Sequence, residues 1–375
     1  MTAPNPDSEP PKTSAELLQT SAVLPKTSTA QPESSPVQPQ TSPAQPQSAS
    51  LWPTSTSRPV TEPGTVPAAY RPEHHSLPQN PASGVGTDRR DEKAESGHTR
   101  DLRFPEAPEP LPVPIVDNHT HMDTQDGRIH IGITDILDTA QDLGVRGVLQ
   151  VGCDVESSRW AVQAAQQDSR VLAAVALHPN ETPALAEAGR LDEAMAEIAE
   201  LATHERVRAI GETGLDYFRT RKSRRHHQHR AFREHIHLAK SLGLAMQIHD
   251  RDAHQDIVQI LREEGAPERT VFHCFSGDAE LARICNENGW YMSFSGTVTF
   301  KNSTDLQEAL TVARPELILV ETDAPFLTPH PYRGRPNAPY MVVQTARWMA
   351  QHKGMDLAEF CSRVDTTVRE VYGEH

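Results

Sequence analysis

Two histidines separated by one residue, His119 and His121, lie near the start of the apolar part of the sequence. Alternate residues of a β-strand point to the same face, so in an extended segment both imidazoles would project together. Two neighbouring imidazoles can supply two nitrogen ligands to a divalent metal ion. A single buried histidine is more often a core residue than a ligand, so this pair alone predicts little.

Further imidazoles and carboxylates follow short apolar runs later in the chain. Each run has the length and composition of a buried strand, and polar residues come directly after it. With the first pair, the candidate metal ligands are His119, His121, Glu212, His249, His273 and Asp323. Four nitrogens and two carboxylates suit two divalent ions bridged by a carboxylate. Such mixed donors favour Zn²⁺, Mn²⁺, Co²⁺ or Fe²⁺ over Mg²⁺.

Eight apolar runs alternate with segments of helical spacing beyond residue 112. The predicted strands are 113–117, 147–151, 172–177, 207–211, 245–249, 270–273, 290–294 and 317–321. The clearest predicted helices are 191–201 and 232–242, and Gly243 ends the second. Strands that alternate with helices predict an α/β fold of parallel βαβ units, and eight units predict a (β/α)8 barrel. A doubly wound sheet is the alternative, but neither common nucleotide-binding glycine motif is present.

The carboxyl ends of all strands of a (β/α)8 barrel meet at one end, the mouth, where functional groups lie. All six candidate ligands lie at predicted strand ends, so the barrel would bring them together. Cys274 directly follows His273, and strand alternation would point its thiol away from the mouth. We therefore expect Cys274 to be a buried, apolar-like cysteine and not a nucleophile.

Five segments around these residues resemble the motifs of the TatD family, in the family's order and spacing. They are DNHTH (117–121), AIGETGLDY (209–217), IHDRDA (248–253), FHCFSG (272–277) and ETDAPFL (321–327). The resemblance covers about residues 113–373. It implies a TIM-barrel hydrolase that depends on metal ions and is related to the amidohydrolases.

The resemblance also implies how the ligands divide between two divalent ions, which would be Mg²⁺, Mn²⁺ or Zn²⁺. The implied sets are His119, His121, Glu212 and Asp323 for one ion, and Glu212, His249 and His273 for the other. Glu212 would bridge the ions, and Asp323 would also hold the attacking water and take its proton. Members of the family are described mainly as DNases that trim single-stranded DNA, and some act on RNA. Some relatives are described as deacylases of mischarged tRNA.

Three polar residues at strand ends are candidate substrate contacts: His178, Asp216 and Arg251. His178 could donate a hydrogen bond to a phosphate oxygen, although a supporting or helix-capping role is equally open. Arg251 lies two residues after His249 and could bind phosphate. Aromatic residues of the mouth loops could stack bases, although each one alone is more commonly a packing residue. These are Tyr217, Phe218, Phe275, Phe326 and Tyr332.

Two other features bear on the substrate. A basic run from Arg219 to Arg233 follows the fourth predicted strand, and it is either a solvated helix face or a patch that attracts a polyanion. After the eighth strand, residues 333–339 read RGRPNAP, where the family commonly has Arg-Asn-Glu-Pro. Pro336 and Ala338 stand in place of the Arg and the Glu, which leaves the identity of the substrate open.

The first 112 residues have a different composition from the rest, since they hold 21 of the 31 prolines and many Ser, Thr and Gln residues. Apolar residues are sparse there, so we predict a disordered extension over 1–112 and a hydrolase domain over 113–375. An idle tail is the simpler interpretation, and a tether or docking arm is the alternative. We expect a chain that begins near Leu111 to fold and to keep full turnover.

Composition limits the remaining possibilities. The net charge of −15 argues against a protein that coats nucleic acid, but not against an enzyme that holds a phosphodiester through metal ions. No apolar run could span a membrane, the N-terminus does not resemble a secretory signal, and the four cysteines form no CxxC pair. We therefore expect a cytoplasmic protein that makes no membrane contact, and its oligomeric state stays open.

The function that we expect is 3′–5′ exonucleolytic hydrolysis of single-stranded DNA, and of RNA as a further substrate. One alternative is a metal-dependent ester or amide hydrolase, such as a D-aminoacyl-tRNA deacylase. An alternative of another class is a non-catalytic binding barrel that uses its extension for interaction.

Overall fold

A computed structural model describes residues 61–71, 88–89, 99–127 and 129–374. In this part of the chain, eight parallel strands form one sheet in sequence order, and a nearly closed barrel results. The strands are β1 (Ile115–Thr120), β2 (Val145–Val151), β3 (Val171–Val175), β4 (Val207–Asp216), β5 (Ala245–Arg251), β6 (Thr270–Phe272), β7 (Tyr291–Phe294) and β8 (Ile318–Val320). The predicted (β/α)8 barrel is confirmed.

Helices cover the outside of the barrel. They are α1 (Ile133–Asp142), α2 (Val155–Gln167), α3 (Thr182–Glu187), α4 (Leu191–Leu201), α5 (Arg225–Leu242), α6 (His254–Glu264), α7 (Ala279–Asn288), α8 (Thr304–Val312), α9 (Val342–Lys353) and α10 (Leu357–Tyr372). Asp154, Asp278 and Asp356 cap the N-termini of α2, α7 and α10 by accepting backbone N–H bonds. The helix predicted over 191–201 has those bounds, and α5 ends at Gly243 as expected but begins earlier, at Arg225.

The barrel closes between its first and last strands just beyond the end of β8. The backbone N–H of Asp323 donates to the carbonyl oxygen of His119 at 2.9 Å, and the N–H of His121 donates to the oxygen of Ala324 at 2.7 Å. These bonds join the segment after β8 to β1. As a result, two histidines from the start of the domain and a carboxylate from near its end lie side by side at the mouth.

Residues before the predicted domain boundary also belong to the packed structure. Tyr70 and Phe104 are buried in the same apolar core as the barrel, where their rings contact each other and Tyr70 contacts Tyr340. For residues 61–71 and 99–112 this packing contradicts the prediction of a disordered extension. The apolar residues there are few, but they are buried against a surface that the barrel supplies. The rest of the extension lies outside the described residues, so the boundary after residue 112 stays a prediction.

Among the described residues, no helix combines the length and the apolar character that a membrane span requires. The expected cytoplasmic location stays a prediction.

One buried histidine serves the fold and not the mouth. In α5, the Nδ1–H of His235 donates to the carbonyl oxygen of Ala231 at 2.8 Å, and its Nε2 accepts the N–H of Leu177 at 3.1 Å. The neutral imidazole satisfies both contacts, so a proton added at Nε2 would break the second. Burial lowers the pKa of His235 from 6.5 to about 4.

This pKa predicts a pH dependence of stability. Because the folded-state pKa lies below the unfolded value, the contribution is complete above pH 6.5 and is lost as the pH falls towards 4. We expect wild type to lose on the order of 3 kcal/mol more unfolding free energy over this interval than His235→Gln does. Urea unfolding at a series of pH values measures the slopes. His226→Gln, an exposed change on the same helix, should keep the wild-type slope, and equal slopes for wild type and His235→Gln would contradict the assignment.

Candidate metal centre

The mouth of the barrel gathers all six residues that the sequence singled out as metal ligands. Most are buried, and all but His119 line a cavity of about 1000 Å³ together with His178, Asp216 and Arg251. His119 and His121 lie at the end of β1, Glu212 lies in β4, His249 lies in β5, His273 follows β6, and Asp323 follows β8. The six side chains come from five parts of the barrel, and the parallel strands bring them to one level.

Two imidazoles and two carboxylates form a first group of donors. Nε2 of His119 and Nε2 of His121 are 3.1 Å apart, and Nε2 of His121 is 3.4 Å from Oδ1 of Asp323. Oε2 of Glu212 lies 3.6 Å from Nε2 of His119. An ion bound at about 2.0–2.2 Å from nitrogen and oxygen ligands holds its donors at separations of this size. These four atoms could therefore surround one divalent ion.

The hydrogen bonds on the far side of each ring decide which nitrogen faces the centre. Nδ1 of His119 lies 2.8 Å from Oε1 of Gln247, and Nδ1 of His121 lies 3.0 Å from the carbonyl oxygen of Val151. Both partners are acceptors, so both Nδ1 atoms carry hydrogen and both Nε2 atoms of the neutral rings carry lone pairs. Two lone pairs facing each other at 3.1 Å repel, and a cation between them removes the repulsion. The donor set therefore fits a metal ion.

Gln247 is held in the orientation that this arrangement requires. Its Nε2 donates to the carbonyl oxygen of Asn118 and to the hydroxyl of Tyr372, each at 2.7 Å, which turns Oε1 towards His119. Gln247 is not among the site residues predicted from the sequence. The signal was present, because Gln247 precedes His249 by two residues on β5 and alternate strand residues share a face.

A second group of donors surrounds the other oxygen of Glu212. Oε1 lies 2.5 Å from Nδ1 of His249 and 2.8 Å from Nε2 of His273. The far nitrogens of both rings face carboxylates, since Nε2 of His249 is 3.2 Å from Asp216 and Nδ1 of His273 is 3.2 Å from Glu321. Each ring thus has a carboxylate on both sides, and with its hydrogen on the far nitrogen it would present a lone pair to an ion bound at Glu212. The two oxygens of one carboxylate thus belong to two different groups of donors.

His178 is also near this group, but its ring is oriented differently. Nε2 of His178 lies 3.4 Å from Oε1 of Glu212, and His178, Glu212 and His249 lie close enough together to surround an ion. However, Nδ1 of His178 accepts the backbone N–H of Asn180 at 3.1 Å, so the hydrogen of the neutral ring is on Nε2. Burial lowers the pKa of His178, which favours the neutral ring. The Nε2–H of His178 therefore points to the mouth, where it could donate to a substrate, and its role as a substrate contact stays a prediction.

The electrostatics keep both carboxylates of the centre ionised. Burial would raise the pKa of Glu212, but the His273 and His178 imidazoles outweigh it, and the pKa lies well below its usual value. Burial likewise opposes ionisation of Asp323, and its contact with His121 lowers the pKa nonetheless. Burial, with the nearby His273, lowers the pKa of His119. Burial would also lower the pKa values of His121, His249 and His273, but neighbouring acidic groups outweigh it and raise them, so these rings would release protons on binding an ion.

Two backbone features aim these side chains. Asp323 has a φ of +53°, in the left-handed region, which aspartate tolerates better than most residues do. At Gly214, where φ is +140°, a Cβ atom would lie 2.1 Å from the carbonyl oxygen of His249. Only glycine allows β4 and β5 to approach so closely beside two of the predicted ligands.

The predicted substrate residue Asp216 is engaged within the protein. One of its carboxylate oxygens faces His249 and the Nδ2 of Asn180, and the other accepts the backbone N–H of Arg219 at 2.7 Å. Burial would raise the pKa of Asp216, but these hydrogen bonds outweigh that effect and the pKa is lowered. Its contacts are those of a residue that orients a metal ligand, not of one that binds substrate.

Arg251 and the basic run have different surroundings. The guanidinium of Arg251 lies 3.9 Å from the centre of the Phe218 ring, which is 59% exposed at the mouth, so both can meet a substrate. In the basic run, Arg224 pairs with Glu187, and Arg230 and Arg233 also pair with acidic side chains of neighbouring helices. These pairs are typical of a solvated helix face, the simpler of the two interpretations.

Cys274 does not follow the predicted strand alternation. β6 ends at Phe272, so Cys274 lies in a turn with a φ of +41°, and its side chain lines the cavity. The expectation that it points away from the mouth is wrong. Burial, with the nearby Asp323 carboxylate, raises the pKa of its thiol well above the usual value, so it is not an activated nucleophile.

Comparison with known proteins agrees with this geometry. The family model described as TatD-related DNase matches residues 116–373. The chain belongs to the TatD family. The metal-dependent hydrolase TatD of Mycobacterium tuberculosis is 42% identical over 263 residues, which cover 69% of this chain and 98% of the relative. The metal-dependent hydrolase YabD of Bacillus subtilis is 36% identical over 69% of this chain and 98% of its own length.

Solved structures show the same fold. The TatD homologue YjjV of Escherichia coli has a TM-score of 0.63 at 22% identity, over 70% of this chain and 98% of that one. A TatD-family hydrolase of Entamoeba histolytica has a TM-score of 0.61 at 20% identity, over 70% and 99%. This chain is thus a metal-dependent hydrolase of the TatD family.

The orientation of the rings predicts which histidines bind metal. We expect His273→Gln to bind its second equivalent of Mn²⁺ or Zn²⁺ about tenfold or more weakly, because it removes a lone pair aimed at Glu212. His178→Gln should keep the wild-type metal content, because His178 presents N–H there. Titration against a chelating indicator, with elemental analysis, measures both. A His178→Gln protein that loses metal as His273→Gln does would refute the assignment.

Proposed function

We propose that this TatD-family hydrolase binds two divalent ions and removes nucleotides from the 3′ end of single-stranded DNA, with RNA as a further substrate. The observation that carries the proposal is Glu212, whose Oε2 belongs to the donors around His119 and His121 while Oε1 belongs to those around His249 and His273. A carboxylate shared in this way is typical of two-metal hydrolases of phosphate esters. The description of the matching family as TatD-related DNases supports the same substrate class.

Bound divalent ions would lower the pKa of a coordinated water and offset the negative charge of a phosphodiester. Zn²⁺ and Mn²⁺ suit the mixture of nitrogen and oxygen donors best. Oδ1 of Asp323 lies 3.4 Å from Nε2 of His121, which leaves Oδ2 to accept the proton of the attacking water. The lowered pKa of Asp323 keeps the carboxylate deprotonated for this task.

Other residues would hold the substrate over the centre. Nε2 of His178 presents an N–H to the cavity and can donate to a non-bridging phosphate oxygen. Arg251 can pair with a phosphate, and the exposed ring of Phe218 beside it offers a surface on which a base can stack. These groups lie at the open end of the cavity, where the terminus of a single strand can enter.

The proposal predicts a metal-dependent exonuclease that needs Asp323. We expect a chelator to abolish shortening of a 5′-labelled single-stranded oligonucleotide, and added Mn²⁺ to restore it. Asp323→Asn should lower kcat by about 10²–10⁴-fold, because it removes the proton acceptor. Gel analysis of the shortened products measures both effects.

The same preparations should be assayed on RNA and on mischarged tRNA. Cleavage of the aminoacyl ester in preference to the oligonucleotide would assign the alternative deacylase activity instead. Undiminished DNA cleavage by Asp323→Asn would show that a contaminating nuclease had been measured. Lys301→Gln, at an exposed residue, is the matched control and should act as wild type.

A further inference from the structure

Two segments before the barrel form a unit that is here called the N-terminal clamp, residues 61–71 and 99–112. They are joined to each other by backbone hydrogen bonds of 2.8 Å between Gly64 and Ala107 and between Ala107 and Thr65. An aromatic cluster attaches them to the barrel, with ring centres 4.7 Å apart for Tyr70 and Phe104 and 5.1 Å apart for Tyr70 and Tyr340. The hydroxyl of Tyr340 also donates to the carbonyl oxygen of Pro105 at 2.6 Å.

The clamp inserts one charged side chain between two loops of the barrel mouth. The Arg100 guanidinium donates to both carboxylate oxygens of Asp126, at 3.0 and 2.5 Å, and to the carbonyl oxygen of Gly334 at 2.9 Å. The two side chains are 3% and 1% exposed. Asp126 lies in the loop after β1, five residues beyond His121, and Gly334 lies in the loop after β8. A buried bidentate pair of this kind fixes both partners in position.

The loop after β8 is held to the clamp from its own side as well. The Arg335 guanidinium donates to the carbonyl oxygens of Arg103, at 2.8 Å, and of Phe104, at 2.5 Å. The carbonyl oxygen of Arg335 in turn accepts the hydroxyl of Thr328 at 2.6 Å. Arg335 thus connects the clamp, which its guanidinium contacts, to Thr328 in the part of the loop nearer the cavity, which its carbonyl oxygen contacts.

That part of the loop borders the metal centre. Asp323, Phe326 and Leu327 line the cavity. Asn337 ties the two halves of the loop together, because its Nδ2 donates to the carbonyl oxygens of Thr322, at 3.0 Å, and of Phe326, at 2.5 Å. A continuous set of hydrogen bonds therefore runs from the clamp to the residues that a substrate meets. This set passes through the stretch 333–339, where the sequence departs from the usual TatD pattern.

The clamp is an addition to the domain that the relatives share. The family model begins at residue 116, and the M. tuberculosis relative is matched over 98% of its own length by 69% of this chain. That relative therefore has almost no residues left to form a counterpart of the clamp.

We propose that the N-terminal clamp is part of the catalytic domain and that Arg100 and Arg335 are positioning residues for the mouth loop, residues 326–338. By holding this loop, the clamp determines how a polymeric substrate approaches the metal centre, while the metal ligands do not depend on it. A chain that begins near Leu111 lacks the groups that hold the mouth loop. It would therefore bind polymeric substrate poorly, contrary to the expectation from composition.

Full-length variants of Arg335 and of a neighbouring arginine test the proposal. Arg335→Met removes the two hydrogen bonds to the clamp and the ion pairs with Asp101 and Glu106, and it leaves the buried pair of Arg100 and Asp126 intact, so the protein should fold. Arg103→Met is the matched control, because the Arg103 side chain is 80% exposed and its guanidinium pairs with Asp101. Arg100→Met is a more severe variant that is expected to have the same effect with a loss of stability.

Hydrogen–deuterium exchange measures the position of the loop directly. We expect backbone amides of residues 326–338 to exchange faster in Arg335→Met than in wild type, with the bound metal content unchanged. Arg103→Met should match wild type. Unchanged exchange in Arg335→Met would overturn the proposal, whatever the kinetics show.

A kinetic comparison measures the consequence for the substrate, and this part rests on the proposed phosphodiesterase function. For Arg335→Met we expect KM for a single-stranded oligonucleotide to rise about tenfold, since small displacements of positioning groups have effects of this size or more. Bis(p-nitrophenyl) phosphate has no polymer chain for the loop to guide, so its kcat should stay near the wild-type value. Equal losses on both substrates would overturn the proposal. No hydrolysis of either by wild type would refute the proposed function, and the exchange experiment would still decide the role of the clamp.

Discussion

The structure depends on one buried carboxylate, Glu212, that lies between two groups of imidazole nitrogens. Lone pairs and negative charges placed so close together in a buried site repel one another unless a cation joins them. Each imidazole is therefore held by an acceptor on its far side. These acceptors are Gln247 for His119, the carbonyl oxygen of Val151 for His121, Asp216 for His249 and Glu321 for His273. The barrel therefore positions both the imidazoles and the acceptors that orient them.

Hydrogen-bond partners also distinguish His178 from His249, two histidines that have similar positions in the sequence pattern. His178 and His249 both follow strands and both point towards Glu212. Their hydrogen-bond partners differ, because an N–H of Asn180 faces His178 and a carboxylate faces His249. One ring is therefore a donor to the mouth and the other presents a lone pair. This difference in hydrogen-bond partners supports the proposal that His178 contacts substrate and His249 binds metal.

The metal centre and its access are built from different parts of the chain. The ligands come from the domain that the TatD relatives share, and the loop that borders the cavity is tied to residues 61–71 and 99–112. This division allows the chemistry to stay constant while the approach of the substrate changes. The net negative charge is consistent with such a site. In the basic run, Arg224, Arg230 and Arg233 are paired with acids on neighbouring helices.

The sequence by itself determined the eight strands, the barrel and the six candidate ligands that meet at its mouth. These depend on local patterns: apolar runs of strand length, the two-residue spacing of His119 and His121, and polar residues directly after each run. The tertiary structure alone decided what each nitrogen donates or accepts, since Gln247 and His119 are far apart in the chain. It alone turned Cys274 into the cavity, because β6 ends two residues before it and the alternation stops there. It also decided that Tyr70 and Phe104 belong to the core, because two aromatic residues in a polar segment can be buried only against a surface that the folded barrel provides.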